Sequence, residues 1–417
     1  MDRYGEHSFL YQYGMTGKFP SWKSSPPPSM PLPLSAGEES SYNKENQELS
    51  QPAAEQVKRS KTGPSSGRTA PPSFLSFCIS LLHPKDSCQQ RRKTMNIVIA
   101  PPIKETYEKD IRTLFPDAAL FWLEDLDEEK RKKALEKADV VLSRNIVGDI
   151  RKDEIPLLAK PAMVQTTRTG VDHLDFKKLP KDIHLYCNSG GWARGIAESA
   201  CGMIIALNRC LREQLQDLQQ GKFHILGYHQ KLLSEQTVLI AGFGGIGQAV
   251  AEVLSPFHCR LTAISRHLPK SPLLDNAYTM DQLEEAVKEA DVLVLALPFT
   301  KETEGLISRH ILSLMKEDSL LVDVARAQLI DRAALLDKVK NNPRFHVAMD
   351  VWWEENEAYP KDGDPLLAYP NVIGSAHNAE MSSTAHREAL MNALHNIRAF
   401  MDGKPVKGKV NRKEYEA

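Results

Sequence analysis

The stretch from Thr237 to Arg266 constrains the fold of this chain more than any other. An apolar run, TVLIAG, breaks into Gly242-Phe243-Gly244-Gly245-Ile246-Gly247, passes into a helical pattern, and returns through a second apolar run, CRLTAI, ending at Ser265-Arg266. The glycines meet three separate needs: Gly242 permits a tight turn, Gly244 lets the backbone approach a bound anion, and Gly247 lets helix and strand pack closely. The helix that follows offers free N–H groups at its start, so the unit predicts a strand–helix–strand layer that binds a pyrophosphate and hence a dinucleotide. The second run ends about twenty residues on, where an acid ordinarily holds the ribose hydroxyls. The chain has Ser265 and Arg266 there instead.

Strand and helix patterns alternate on both sides of this unit. Before it come NIVIA (96–100), ALFWL (119–123), DVVLS (139–143) and MVQTT (163–167), and after the strand at 237 come apolar runs near 260, 291, 319, 345 and 372. Such alternation predicts parallel sheets covered by helices. The expected fold is therefore α/β: two Rossmann-like or flavodoxin-like lobes with a cleft between them, and ligands at the carboxyl ends of the strands. A long apolar helix is expected from Ile196 to beyond Leu211. A last helix, Thr384 to Phe400, is expected to cross back onto the first lobe. The expected divisions are a tail over 1–94, a substrate domain over 95–207 completed by 380–417, and a dinucleotide-binding domain over 208–379.

Residues 1–94 differ from the rest, with Pro-Pro-Pro at 26–28, Pro, Ser and Gly clusters and no apolar periodicity, and are expected to be disordered. Lys58-Arg59-Ser60-Lys61 reads as a solvated charge run, and the apolar stretch from Ser73 to Leu82 is too short to span a bilayer. The net charge of −1 argues against a protein built around nucleic acid or an anionic membrane. Cys78, Cys88, Cys187, Cys201, Cys210 and Cys259 form no CxxC pair and no metal-ligand rhythm, so no metal is expected and the thiols read as those of a reduced intracellular protein. A cytosolic location is expected, with a plastid or other organelle as the alternative if the Ser/Arg-rich part of the tail holds a transit signal.

Three ionisable residues fall at or just past later strand ends, where an open sheet presents chemistry: Arg326 after SLLVDVA, Glu355 after AMD, and His377 after NVIGSA. The order GFGGIG, LPFTKET (297–303), DVARAQLID (323–331), AMDVWWEE (348–355) and PNVIGSAHNAE (370–380), with TRTGVDHLD (167–175) and CNSGGWARGIAES (187–199) upstream, resembles the D-isomer-specific 2-hydroxyacid dehydrogenases from about Met95 to Val410.

The resemblance implies an NAD(P)-dependent enzyme that transfers a hydride between the cofactor and a small 2-oxoacid or D-2-hydroxyacid. In it His377 is the general acid/base, Glu355 its carboxylate partner, and Arg326 the grip on carboxylate and carbonyl oxygen. Thr169 and Gly170 would bind the other side of the carboxylate, and Asn188 would line the cleft. Gly242, Gly244, Gly245, Ile246, Gly247, Ser265, Arg266, Pro298, Thr303, Val324 and Asp350 would hold the cofactor, Asp350 at the nicotinamide carboxamide. Formate dehydrogenases carry glutamine at the position of Glu355. Asp323 and Ala327 depart from the usual Asn-x-x-Arg-Gly, and Ala376-His377-Asn378 departs from the usual proline before the histidine. Trp192, Trp352 and Trp353 are candidates for shaping the substrate end or for core packing.

Without an acid at Ser265, and with the Arg266 fork beside it, NADP(H) is expected to be preferred, with NAD(H) possible. The expectation is an NADPH-preferring reductase of glyoxylate or hydroxypyruvate type, acting as a homodimer without nucleic-acid or membrane partners. The alternative is a dinucleotide-sensing, co-repressor-like interaction protein with little turnover.

Overall fold

A computed structural model describes residues 94–416. The expected tail before residue 94, with Cys78, Cys88, the 58–61 cluster and the 73–82 run, lies outside the described residues, as does Ala417.

The first sheet contains β1 (Asn96–Ile99), β2 (Ala119–Trp122), β3 (Val140–Ser143), β4 (Met163–Thr166) and β5 (Leu185–Tyr186), in the order β2-β1-β3-β4-β5. The second contains β6 (Thr237–Ala241), β7 (Arg260–Ser265), β8 (Asn276–Thr279), β9 (Val292–Leu295), β10 (Leu320–Asp323), β11 (His346–Met349) and β12 (Val372–Gly374), in the order β12-β11-β10-β9-β6-β7-β8. All neighbours are parallel. These are the flavodoxin-like order and the Rossmann order extended by one strand, and in each a crevice opens at the carboxyl edge where the order reverses. The continuous apolar runs follow from coverage on both faces: every residue of β9 is wholly buried. β5 and β8 were not expected, the first because two residues carry no period and the second because Asn-Ala-Tyr-Thr carries little apolar signal.

The long helix is shorter than expected. α1 (Ala193–Asn208) stops at Arg209, Cys210 adopts a left-handed φ of 51°, and a separate helix, α2 (Leu211–Gln219), follows. α1 buries Ile196, Ala197, Ala200 and Ile204 with Val238, Ile240 and Val250, in the core beneath the second sheet. α3 (Gly245–Leu254) follows β6 directly. α4 (Ala385–Met401) lays Leu390, Ala393, Leu394 and Ile397 on Ile97, Ile99 and Leu142 of the first sheet. The chain then pairs antiparallel with the edge of β5 through Lys409 and Tyr186. Among the described residues the cysteines are free, and no helix is long and apolar enough to cross a membrane.

Asp323, at the carboxyl end of β10, is fully buried. Its Oδ1 accepts the Ala325 N–H at 2.9 Å, while Oδ2 is buried without a hydrogen-bond partner. Burial pushes its pKa up from 3.8 to about 7. The folded state therefore holds this proton more tightly than the unfolded state, and stability is lost as pH rises from about 4 through 7. Asp323→Asn, of equal size and uncharged, is expected to remove that loss. Urea denaturation at pH 5 and pH 8 checks it: the variant should gain more on the wild type at pH 8 than at pH 5.

Candidate active site

The glycine turn has the predicted geometry. Gly242 has φ of 98°, and a Cβ there would stand 2.6 Å from the Ala296 carbonyl oxygen. A Cβ on Gly247 would strike the Gly242 carbonyl, so α3 can approach β6 only with glycine at that place. Nothing lies within 4 Å of where a Gly244 Cβ would be, on the open side of the turn. Gly245 and Ile246 begin α3, and a Cβ on Gly245 would come within 2.5 Å of Gly190, so this residue also sets how closely the chain leaving the first sheet passes the turn. An open Gly244 beside a ten-residue helix start fits a pyrophosphate, and the residues present therefore suit a dinucleotide.

The Gly242 N–H donates to the Ile264 carbonyl at 2.8 Å, which ties the end of β7 to the turn. Ser265 is half-buried there, and Arg266 is exposed. Beyond β9, the Thr303 hydroxyl donates to the Pro298 carbonyl at 2.8 Å and accepts the Thr300 N–H, which closes the 298–303 loop on itself. Val324 is buried against the core beneath α1.

At the ends of β10, β11 and β12 the three expected catalytic side chains converge. His377 Nδ1 lies 2.8 Å from Glu355 Oε2, and Glu355 Oε1 accepts the Trp352 N–H at 3.0 Å. The Glu355 bond raises the pKa of His377 above its usual 6.5, against burial and the nearby Arg326 charge. Burial pulls the Glu355 carboxyl up, but the His377 bond, the Trp352 N–H and the Arg326 charge together hold it below its usual value. His377 sits at a left-handed φ of 50°, a conformation that a non-glycine residue keeps only when its surroundings enforce it.

Asp350 does the enforcing. It is 2% exposed, its Oδ1 accepts Ser375 Oγ at 2.6 Å, Asn378 N at 3.0 Å and Ala379 N at 3.2 Å, and its backbone carbonyl accepts the His377 N–H at 2.7 Å. The carboxylate expected at a nicotinamide carboxamide is thus engaged by the loop that carries the histidine. Asn188 is likewise used internally. At 1% exposure, its Nδ2 donates to the Thr167 and Ala389 carbonyls and its Oδ1 accepts from Asn392, so it braces the 167–170 loop from beneath. Trp352 is a core residue, 5% exposed with its Nε1 donating to the Ser375 carbonyl, and Trp353 lies under the Arg332 guanidinium at 5.2 Å. Trp192 is half-buried, with its Nε1 donating to the Thr167 carbonyl at 2.7 Å.

Arg326 meets the first lobe. Its Nε and Nη2 reach Asp172 Oδ2 and Oδ1 at 3.1 and 3.2 Å, and a Cβ on Gly170 would collide with the guanidinium. Thr169 donates its hydroxyl to the Asn188 carbonyl at 3.1 Å, which leaves the Thr169-Gly170 backbone beside the arginine. Asp172 was not singled out from the sequence. It lies within the TRTGVDHLD run, but its partner is 154 positions away and no spacing announces the pair. Burial raises the Asp172 pKa, and the Arg326 charge, its hydrogen bonds and a backbone N–H together more than reverse that, for a net lowering. Among the described residues, no group of three His, Cys, Asp or Glu side chains is arranged to hold a metal ion.

A glycine turn at a Rossmann switch point, with a part-buried His–Glu pair and an arginine beyond the ends of neighbouring strands, fits a two-lobed NAD(P)-dependent oxidoreductase. Residues 201–379 match the family model described as D-isomer specific 2-hydroxyacid dehydrogenase, NAD binding domain. Over that region, which is under half of the chain, the protein is similar to the D-isomer specific 2-hydroxyacid dehydrogenases. It is 27% identical over 288 residues to D-3-phosphoglycerate dehydrogenase of Methanocaldococcus jannaschii, a match that takes in 69% of this chain and only 54% of that protein's length. Hydroxypyruvate reductase of Thermotoga maritima is 26% identical over 278 residues, 66% of this chain and 88% of that one. The solved NADPH-dependent glyoxylate/hydroxypyruvate reductase of Sinorhizobium meliloti, in complex with NADP and sulfate, shares the fold at TM-score 0.62, with 20% identity over 78% of this chain and all of that one.

Gly170→Ala tests whether the two sides of the cleft act together. The backbone tolerates alanine there, but the new methyl would push the Arg326 guanidinium aside. If Arg326 holds the substrate, kcat/KM is expected to fall by about tenfold or more while the melting temperature changes little, because misplacing such a group by about 1 Å costs on that order or more. Steady-state kinetics beside thermal unfolding checks it.

Proposed function

We propose that the protein reduces a short 2-oxoacid of the hydroxypyruvate or glyoxylate type to its D-2-hydroxyacid, with NADPH preferred over NADH. The observation that carries the reading is the 2.8 Å His377–Glu355 pair, set at the strand ends that also present Arg326. The bound dinucleotide supplies the hydride. Arg326 holds the substrate carboxylate and carbonyl oxygen with its planar fork, while the N–H groups of Thr169 and Gly170 take the other side of the carboxylate, so that both lobes grip one small molecule. Glu355 occupies Nδ1 of His377, which leaves Nε2 to hand its proton to the oxygen as negative charge develops there.

In this division of labour, the first lobe with α4 and the chain after it serves the substrate, and the second lobe serves the cofactor. The NADPH preference is supported by Ser265 in place of the usual acid and by the exposed Arg266 at the end of β7. A cytosolic location accords with the free thiols among the described residues.

The proposed assembly is a homodimer. α2 carries Leu211, Leu215 and Leu218 in a helical stripe, each at least half exposed, and the loop after it exposes Phe223, Ile225 and Leu226 at 79–85%. An apolar patch of that kind marks a surface covered by a partner, here a second copy. Leu215→Asp with Leu226→Asp is expected to convert the dimer to a monomer in light scattering, and an unchanged mass would refute the placement.

The acid assignment is tested at the pair itself. His377→Ala is expected to lower kcat by about 10²–10⁴-fold with cofactor binding retained. Reduction needs the protonated ring, so its rate is highest at low pH and is lost as pH rises through the raised His377 pKa. Glu355→Gln removes the group that raises that pKa and should move the falling limb of the pH–rate profile to lower pH.

A further inference from the structure

The acid absent from the end of β7 is present in space. Arg266 Nη1 donates to Glu414 Oε1 at 2.7 Å, from a residue 148 positions further along the chain. Arg266 is 53% exposed at its side chain and Glu414 only 17%, so the carboxylate is the better-fixed member of the pair.

Its placement is enforced on several sides. The segment carrying it is stitched to the first lobe: Cys187 N donates to the Gly408 carbonyl at 2.8 Å, and Val410 N to the Leu185 carbonyl at 2.9 Å. Arg412 donates to the carbonyls of Phe176, Leu179 and Pro180, and Tyr415 stacks on Phe176 at 5.1 Å. Asn411 Nδ2 donates to Glu414 Oε1 at 3.0 Å. From the second lobe, Lys301 N donates to the Glu414 carbonyl at 3.3 Å. Glu414 is therefore delivered from the first lobe to Arg266, which lies two residues beyond the Ile264 carbonyl that ties β7 to the glycine turn.

We infer that Glu414 is a cofactor-specificity residue: it competes with the ribose 2′-phosphate of NADP(H) for the Arg266 guanidinium. This deepens the proposed NADPH preference and rests on the reading of Arg266 as the phosphate ligand. An NAD(H) ribose makes no claim on the guanidinium, so the pair persists and the C-terminal segment stays linked to the cofactor lobe. A 2′-phosphate, with more charge and more acceptor oxygens than a carboxylate, takes the fork and releases Glu414. The chain thus holds its preference for NADP(H) below what Arg266 alone would give.

The test is direct binding of NADPH and NADH, by fluorescence titration, to wild type, Glu414→Gln, Glu414→Asp, Arg266→Ala and the Glu414→Gln/Arg266→Ala double variant. Glu414→Gln is expected to tighten NADPH by about twofold to fivefold, the upper range of an exposed charge pair, and to leave NADH unchanged. Glu414→Asp keeps the charge and should stay near wild type, and the double variant should lose the gain. NADPH affinity unchanged or weakened in Glu414→Gln, with Arg266→Ala still weakening NADPH, would overturn the inference and leave the cofactor reading standing. NADPH affinity insensitive to Arg266→Ala would overturn both.

Discussion

The candidate site depends on one buried carboxylate. Asp350 lies where β11 ends, and its side chain and carbonyl together gather the loop that runs from Ser375 to Ala379. Without that side chain, the N–H groups of Asn378 and Ala379 would lose their acceptor, and the left-handed backbone of His377 would lose support beside it. The same loop reaches α1, where Ser199 donates to the Ala379 carbonyl at 2.8 Å. Asp350 therefore fixes how the loop bearing the histidine sits above the sheet, and with it the contact with the helix that packs beneath the second sheet.

The two ends of the cleft are built on different principles. At the glycine turn, atoms are missing on purpose: β6, α3 and the 190 region approach so closely that side chains at 242, 245 and 247 would collide with backbone. At the opposite end, charges are matched: Arg326 with Asp172, His377 with Glu355. Close packing needs no counter-ion and survives any ligand. Ion pairs, by contrast, leave charged groups that a ligand of matching charge could engage.

The sequence made ten of the twelve strands readable from short apolar runs, since burial on both faces keeps such runs mostly free of polar residues. It also made the glycine turn and the Arg326, Glu355 and His377 positions readable, because their spacing along alternating strands fixes the edge on which they emerge. β5 escaped because two residues have no period, and the end of α1 escaped because Cys210 gives no propensity signal for a left-handed turn. Asp172 and Glu414 escaped for another reason: each acts on an arginine far away in sequence, and only the folded arrangement of the lobes brings the partners together. The buried use of Asp350 and Asn188 was equally invisible, because a sequence shows an amide or a carboxylate but not how many of its hydrogen bonds are already taken.

The lobe that begins first is finished last. Ile97, Ile99 and Leu142 are covered by α4, and the edge of β5 by the chain around Lys409, segments separated from them by the whole of the second sheet. The second lobe is continuous from β6 to β12 and can close as soon as it leaves the ribosome, whereas the first must wait with an apolar sheet face uncovered. During synthesis the first lobe is thus the aggregation-exposed half of the described residues, and its completion is timed by the second lobe that lies between its parts.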